Sequence, residues 1–147
     1  MRKILVALDG SEHADHALTF AITLADKFFA ELHLLTVVPP ELTPPYVTTF
    51  HAVTYNECTD YSKYLEIRFR SVLSAAVEKV KKTNPTMKVS SQLERGDPAD
   101  RIVETAKLGD FDIIIMGRRG LGCSQDVLGS VSFNVVNRAP CSVWTVE

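Results

Sequence analysis

The sequence is poor in the features that would place it outside an ordinary cell interior. Three cysteines in 147 residues are too few for the disulfide framework of a small secreted domain. No apolar run approaches the roughly 18–20 residues of a membrane span. Met1-Arg2-Lys3 is followed by only five apolar residues, Ile4 to Leu8, before Asp9, short of the roughly 7–15 of a secretory signal. The expected compartment is therefore the cytoplasm, with no membrane partner. An excess of charge of one sign is also lacking. Sixteen Lys and Arg face 18 Asp and Glu for a net charge of −2, which excludes a nucleic-acid binder that neutralises phosphates over a broad face. Any anion site must be local.

What is present is the composition of a folded domain. Hydrophobic residues at 46% and charged residues at 23% exclude a disordered or collagen-like chain. A mass of 16.3 kDa predicts one domain spanning residues 1–147. The apolar period switches repeatedly between strand-like runs and helix-like stripes, which predicts an α/β chain of βα units. Lys3 to Leu8 is an apolar run fit for a strand covered on both faces. Ser11 is a good N-cap for a helix with the stripe Ala14, Ala17, Leu18, Ala21, Ile22, Ala25 and Phe28. Leu32 to Val38 is the second strand, ended by Pro39-Pro40.

A proline-rich connection over 39–57 follows, in which Tyr46, Phe50 and Tyr55 either lid a ligand or cover their own domain. The second helix is expected from about Thr59 to Lys82, with Tyr61, Leu65, Val72, Ala76 and Val80 facing inward. Lys88 to Leu93 alternates as a third strand. Asp97 caps a third helix with Pro98 at its first position and Ile102, Val103 and Ala106 inside. Phe111 to Met116 is the most apolar strand, the fourth. Ser130 to Arg138 is the fourth helix and Ser142 to Val146 the last strand.

Ligands of open parallel α/β sheets bind beyond the carboxyl ends of the strands where the strand order reverses. The segment after the fourth strand is the chemically distinctive one. Gly117, Gly120, Gly122 and Gly129 lie within it, Arg118 and Arg119 add local positive charge, and a helix starts at Ser130. Glycines let backbone N–H groups approach an anion, and a helix start supplies unpaired donors and partial positive charge. Together these describe a polyphosphate cradle. Two better-known phosphate motifs do not fit it. Gly117 to Gly122 has the spacing of a P-loop, but Cys123-Ser124 stands where Lys-Ser/Thr is required. The dinucleotide fingerprint GxGxxG fails after Gly120-Leu121-Gly122, and the loop follows the fourth strand instead of the first.

With these residues in view, the chain resembles the ATP-binding branch of the universal stress protein family over essentially its whole length. The resemblance rests on Gly117-x2-Gly120 and Gly129-Ser130 after the fourth strand, on Ile4 to Ser11, on Gly96-Asp97-Pro98 and on Ala139-Pro140-Cys141. One departure stands out: eight residues separate Gly120 from Gly129, where the family pattern has nine. The implied fold is a doubly wound, five-stranded parallel sheet with helices on both faces, Rossmann-like and of the adenine nucleotide alpha-hydrolase type. The resemblance implies that Ala7, Asp9 and Val37 border an adenosine, and that Met116, Gly117, Gly120, Gly129, Ser130 and Val131 hold ribose and phosphates. It implies ATP as ligand, with Mg²⁺ reached from Asp9 directly or through water, since Mg²⁺ prefers carboxylate and phosphate oxygens.

The implied role is a nucleotide-dependent regulator or stress-response factor, at most a slow ATPase. Homodimerisation is expected through the last strand, which has no lysine or proline inside it to blunt an exposed edge. Two alternatives stand beside this reading. A nucleotide-free family member would act through protein contacts alone, and a phosphoacceptor receiver domain is disfavoured by a lone Asp9 where an acidic pair is needed. His13 and His16 read as a solvated face, Cys123 as a filler and Cys141 as core.

Overall fold

The computed structural model describes residues 1–40, 55–121 and 128–147, with backbone alone for 55–60. Five strands, β1 (Lys3–Leu8), β2 (Glu31–Val38), β3 (Val89–Arg95), β4 (Ile113–Gly117) and β5 (Ser142–Val146), alternate with four helices, α1 (Glu12–Phe28), α2 (Tyr55–Thr83), α3 (Pro98–Gly109) and α4 (Ser130–Arg138). Every strand pair is parallel, in the order β3-β2-β1-β4-β5. The chain winds outward from β1 to β3 on one side and from β4 to β5 on the other, so the order reverses between β1 and β4. This is the doubly wound arrangement expected from the sequence, and it differs from the 2-1-3-4-5 order of receiver-type sheets.

Alternate residues of the central strands feed two cores, which is why their sequences read as unbroken apolar runs. Ile4, Val6, Leu32, Leu34, Ile113 and Ile115 meet α1 and α2 on one face. Leu5, Ala7, Leu35, Val37, Ile114 and Met116 meet α3 and Val135 of α4 on the other. The helix starts obey local capping chemistry. Ser11 Oγ accepts from Ala14 N at 3.2 Å and the Asp97 carboxylate accepts from Asp100 N at 3.0 Å.

Three expectations need adjusting. Phe28 is 52% exposed, because α1 stops there and Phe29, at φ 52°, turns the chain toward β2 with the Ala30 amide closing on Ala25 O. Helix α2 begins at Tyr55, earlier than Thr59, while Leu65, Ala76 and Val80 are buried as expected and Phe69 and Leu73 join them. Strand β4 begins at Ile113, because the Asp112 carboxylate accepts from the amides of Arg2 and Lys3, at 2.5 and 2.9 Å. Tyr46 and Phe50, and the side chain of Tyr55, lie outside the described residues.

Those two amides hold the Asp112 carboxyl below the usual aspartate range, and the Lys88 and Arg70 side chains do the same for Glu31 and Glu66. A depressed folded pKa contributes stability that is complete above the unfolded value, about 4, and is lost as pH falls through the folded value. Urea midpoints should therefore drop on acidification below pH ~4, and Asp112→Asn should remove part of that slope. An unchanged slope in the variant would contradict the assignment.

Thr36 on β2 is fully buried on the α1–α2 side, yet its Oγ1 has no partner among the described residues. A buried hydroxyl without a hydrogen bond costs about 1–3 kcal/mol, and an apolar isostere removes that cost. Thr36→Val should stabilise the protein by about 1 kcal/mol and raise Tm by roughly 3–5 °C in a thermal melt. A lowered Tm would show that the hydroxyl is satisfied.

Candidate functional site

Register pairs Ala7 with Met116 across the β1–β4 junction. Asp9, Gly10 and Ser11 therefore leave β1 beside the loop that leaves β4. The Asp9 carboxylate does two jobs there. Oδ1 accepts from Ser11 N at 2.9 Å and closes the turn into α1, while Oδ2 accepts from Leu121 N at 3.2 Å, 112 residues away. A strand-to-helix turn needs only the first bond; the second ties the β4 loop over the end of β1.

Glycine is needed for that approach. A β-carbon on Gly120 would stand 2.5 Å from Asp9 Oδ2, and one on Gly117 would stand 2.9 Å from the backbone carbon and Cβ of His13. Gly129 N donates to Arg118 O at 3.0 Å, and Ser132 Oγ donates to Gly117 O at 2.9 Å from a buried position. The start of α4 is thus fixed against Gly117 and Arg118, the beginning of the Gly117–Gly120 segment. Its N-cap, Gly129, has no side chain to give a capping bond, and a helix start carries partial positive charge at its first-turn amides.

Beneath this polar rim lies an apolar floor. Ala7, Val37 and Met116 are buried in one cluster at the carboxyl ends of β1, β2 and β4, and Val131 packs against it. The structure therefore brings Ala7, Val37, Met116 and Val131 together on the α3–α4 face, with Asp9, Gly117, Gly120, Gly129 and Ser130 around its rim. Gly122 and Cys123 lie outside the described residues.

The arginines are placed differently from the simple cradle. Arg119 is turned toward β5, its guanidinium 2.8 Å from Glu147 Oε1, and Arg118 reaches the same oxygen at 3.5 Å. His16 is exposed, as a residue of a solvated face should be, and its Nδ1 lies 3.0 Å from the Glu147 backbone oxygen. Sequence reasoning passed over Glu147; the available signal was a carboxylate just past β5, the strand beside β4. Among the described residues no group of three or more His, Cys, Asp or Glu converges as a metal site. Cys141 is half-buried behind the α3–α4 core, and burial pushes its thiol pKa up, which opposes thiolate reactivity.

A concavity of about 510 Å³ lies over β2 and β3 beside α3, away from the strand-order reversal, and is lined by His33, Ser90, Gln92, Arg101, Glu104 and Phe111 among others. Its polar groups satisfy one another. Gln92 donates its amide nitrogen to Glu94 at 2.6 Å, which leaves Gln92 Oε1 to accept from His33 Nε2 at 2.9 Å, and Ser90 Oγ meets His33 Nδ1 at 2.7 Å. This is a cross-strand ladder on a sheet face.

Strand order, loop and helix start define a Rossmann-like, doubly wound α/β protein with its candidate site at the switch point. The universal stress protein family model matches residues 1–147, and the chain belongs to that family. A universal stress protein of Methanothermobacter thermautotrophicus is 33% identical over 149 residues, covering 99% of this chain and 95% of its own. The structure of the universal stress protein UspA from Lactobacillus plantarum superposes with a TM-score of 0.79 at 26% identity, covering 99% and 97% of the two chains. A family member from Arabidopsis thaliana, solved with AMP bound, has a TM-score of 0.70 at 20% identity and covers 99% and 91%; at that identity the likeness is one of fold.

Proposed function

We propose that this protein binds an adenine nucleotide, ATP with Mg²⁺, at the β1–β4 switch point and acts as a nucleotide-dependent regulator in the cytoplasm. The observation that carries the reading is the bond from Leu121 N to Asp9 Oδ2 over a Gly120 with no room for a side chain, beside a helix start whose N-cap is a glycine. Such a rim offers backbone donors to phosphates. The floor of Ala7, Val37 and Met116 suits an adenosine, and the AMP on the Arabidopsis protein is in keeping with that use of the fold. Gly117, Gly120, Gly129, Ser130 and Val131 are assigned to ribose and phosphates, and Arg118 and Arg119 to the phosphate charge.

Mg²⁺ fits a site with one carboxylate, Asp9, when phosphate oxygens and water complete its shell. It would neutralise phosphate charge there. Turnover is slow in this reading. Phosphoryl transfer needs an oriented nucleophile and a positioned base, and no motif of the sequence ties a glutamine or carboxylate to an attacking water. No helix among the described residues is long and apolar enough to cross a membrane, and the balanced net charge of −2 argues against nucleic acid as partner.

Calorimetry at low ionic strength should give micromolar ATP affinity, about −8 kcal/mol, weakened roughly tenfold by Asp9→Ala as the loop loses its tie. Phosphate release should stay below about 1 s⁻¹. Absence of heat with ATP and Mg²⁺ would favour the alternative, a nucleotide-free family member working through protein contacts. That alternative draws on the pairing of both arginines with Glu147 and on the shortened Gly120–Gly129 spacing.

A further inference from the structure

The arginines assigned to the phosphate tail are held by an anion that belongs to the chain. Glu147 follows β5, and its carboxylate lies 2.8 Å from Arg119 and 3.5 Å from Arg118. Its backbone is fastened on both sides, by His16 at its carbonyl and by Arg118 N donating to Val146 O at 2.6 Å. The pair is unequally solvated: the Arg119 side chain is 14% exposed and the Glu147 side chain 68%. The carboxylate can swing into water at little cost, whereas the arginine stays where it is. The backbone bearing these arginines also accepts Gly129 N, so Glu147 sits within the same electrostatic neighbourhood as the α4 start.

We infer that Glu147 is a specificity-determining residue that tempers the preference of the site for longer phosphate tails, by competing with the phosphate tail for Arg118 and Arg119. The inference rests on the nucleotide reading above. A phosphate group entering this neighbourhood must either displace the carboxylate from the arginines or bear its repulsion, and both costs grow with phosphate charge. Adenosine carries no such charge and pays neither. Glu147 therefore narrows the preference that the positive rim would otherwise give to ATP over AMP and adenosine.

The test is a calorimetric comparison of adenosine, AMP and ATP on the wild type, Glu147→Gln and Glu147→Asp at low ionic strength, where a Debye length above about 10 Å leaves the charges unscreened. Glu147→Gln should leave adenosine affinity unchanged and tighten ATP by about twofold to fivefold, the scale of an exposed ion pair, with AMP between them. Glu147→Asp, which keeps the charge, should stay near the wild type. The gain with ATP should disappear when Arg119→Gln is added to Glu147→Gln. Equal changes for adenosine and ATP, or no change with ATP while the wild type binds it, would overturn the role of Glu147 and leave the nucleotide reading standing. Failure of all three ligands on the wild type and on Glu147→Gln would instead overturn the nucleotide reading, and this inference with it.

Discussion

Gly120→Val should abolish ATP binding, by about 100-fold or more, while the protein still folds. The contact that makes the residue a glycine is with a side chain: its β-carbon would stand 2.5 Å from Asp9 Oδ2 and 3.7 Å from Asp9 Cγ. The carboxylate must rotate away, which breaks its bond to Leu121 N and releases the loop from β1 as Asp9→Ala would. The valine side chain in addition obstructs approach of a phosphate to the loop backbone, which Asp9→Ala leaves open. Because Asp9 is only partly buried, it can turn toward water, and the stability cost is that of one overpacked contact, about 1–2 kcal/mol. Gly117 is a less informative target. A β-carbon there meets His13 C and Arg119 O, both at 2.9 Å, so substitution tests folding before it tests binding. Calorimetry with a parallel thermal melt decides the matter for Gly120→Val: wild-type affinity in a folded variant would remove the loop from the proposed site.

The parts of this fold legible in the sequence are those set by local chemistry. Ser11, Asp97 and Pro98 mark helix starts because capping and the missing proline donor act within one turn. The runs over β1 and β4 reveal central strands because burial on both faces demands apolar residues at every position. Strand β3 was harder to bound. It continues to Arg95, and its last pairs, Val37 with Glu94 and Val38 with Arg95, are specified by β2 and not by its own polar sequence. The start of α2 at Tyr55 follows the capping-box spacing Thr54-Tyr55-Asn56-Glu57, a signal that an expected start at Thr59 passes over, and the exposure of Phe28 depends on where α1 ends.

The site divides in the same way. A glycine loop before a helix is visible as a sequence, but the second bond of Asp9 and the pairing of Arg119 with Glu147 span 112 and 28 residues. They exist only because β4 lies between β1 and β5. The loop sequence places the arginines among glycines, which suits a phosphate, but it does not reveal Glu147, which reaches them one strand later as β5 ends beside β4.

The same strand carries the largest change expected in assembly. We propose that two copies pair through β5, so that the wild type should sediment as a dimer at micromolar concentration and Val143→Pro as a monomer of 16.3 kDa. In a parallel pair each residue directs its N–H and C=O to the same side, and successive residues alternate. Val146 O accepts from Arg118 N, so Ser142, Trp144 and Val146 face β4, while Val143 and Thr145 turn their backbone groups to the outer edge. β5 has no further strand beside it among the described residues. Exposed apolar surface flanks that edge on both sheet faces, Trp144 against Phe20 on the α1 side and Phe133 and Val136 on α4. An unprotected edge bordered by such surface is a site for pairing, and a second copy of this strand supplies both the backbone partners and the apolar cover. Proline at 143 removes an outward donor without touching the bonds to β4, so the monomer should keep its fold; Thr145→Pro is the independent second variant. Two folded variants that sediment as dimers, or a wild type found only at 16.3 kDa, would show that β5 is not the interface.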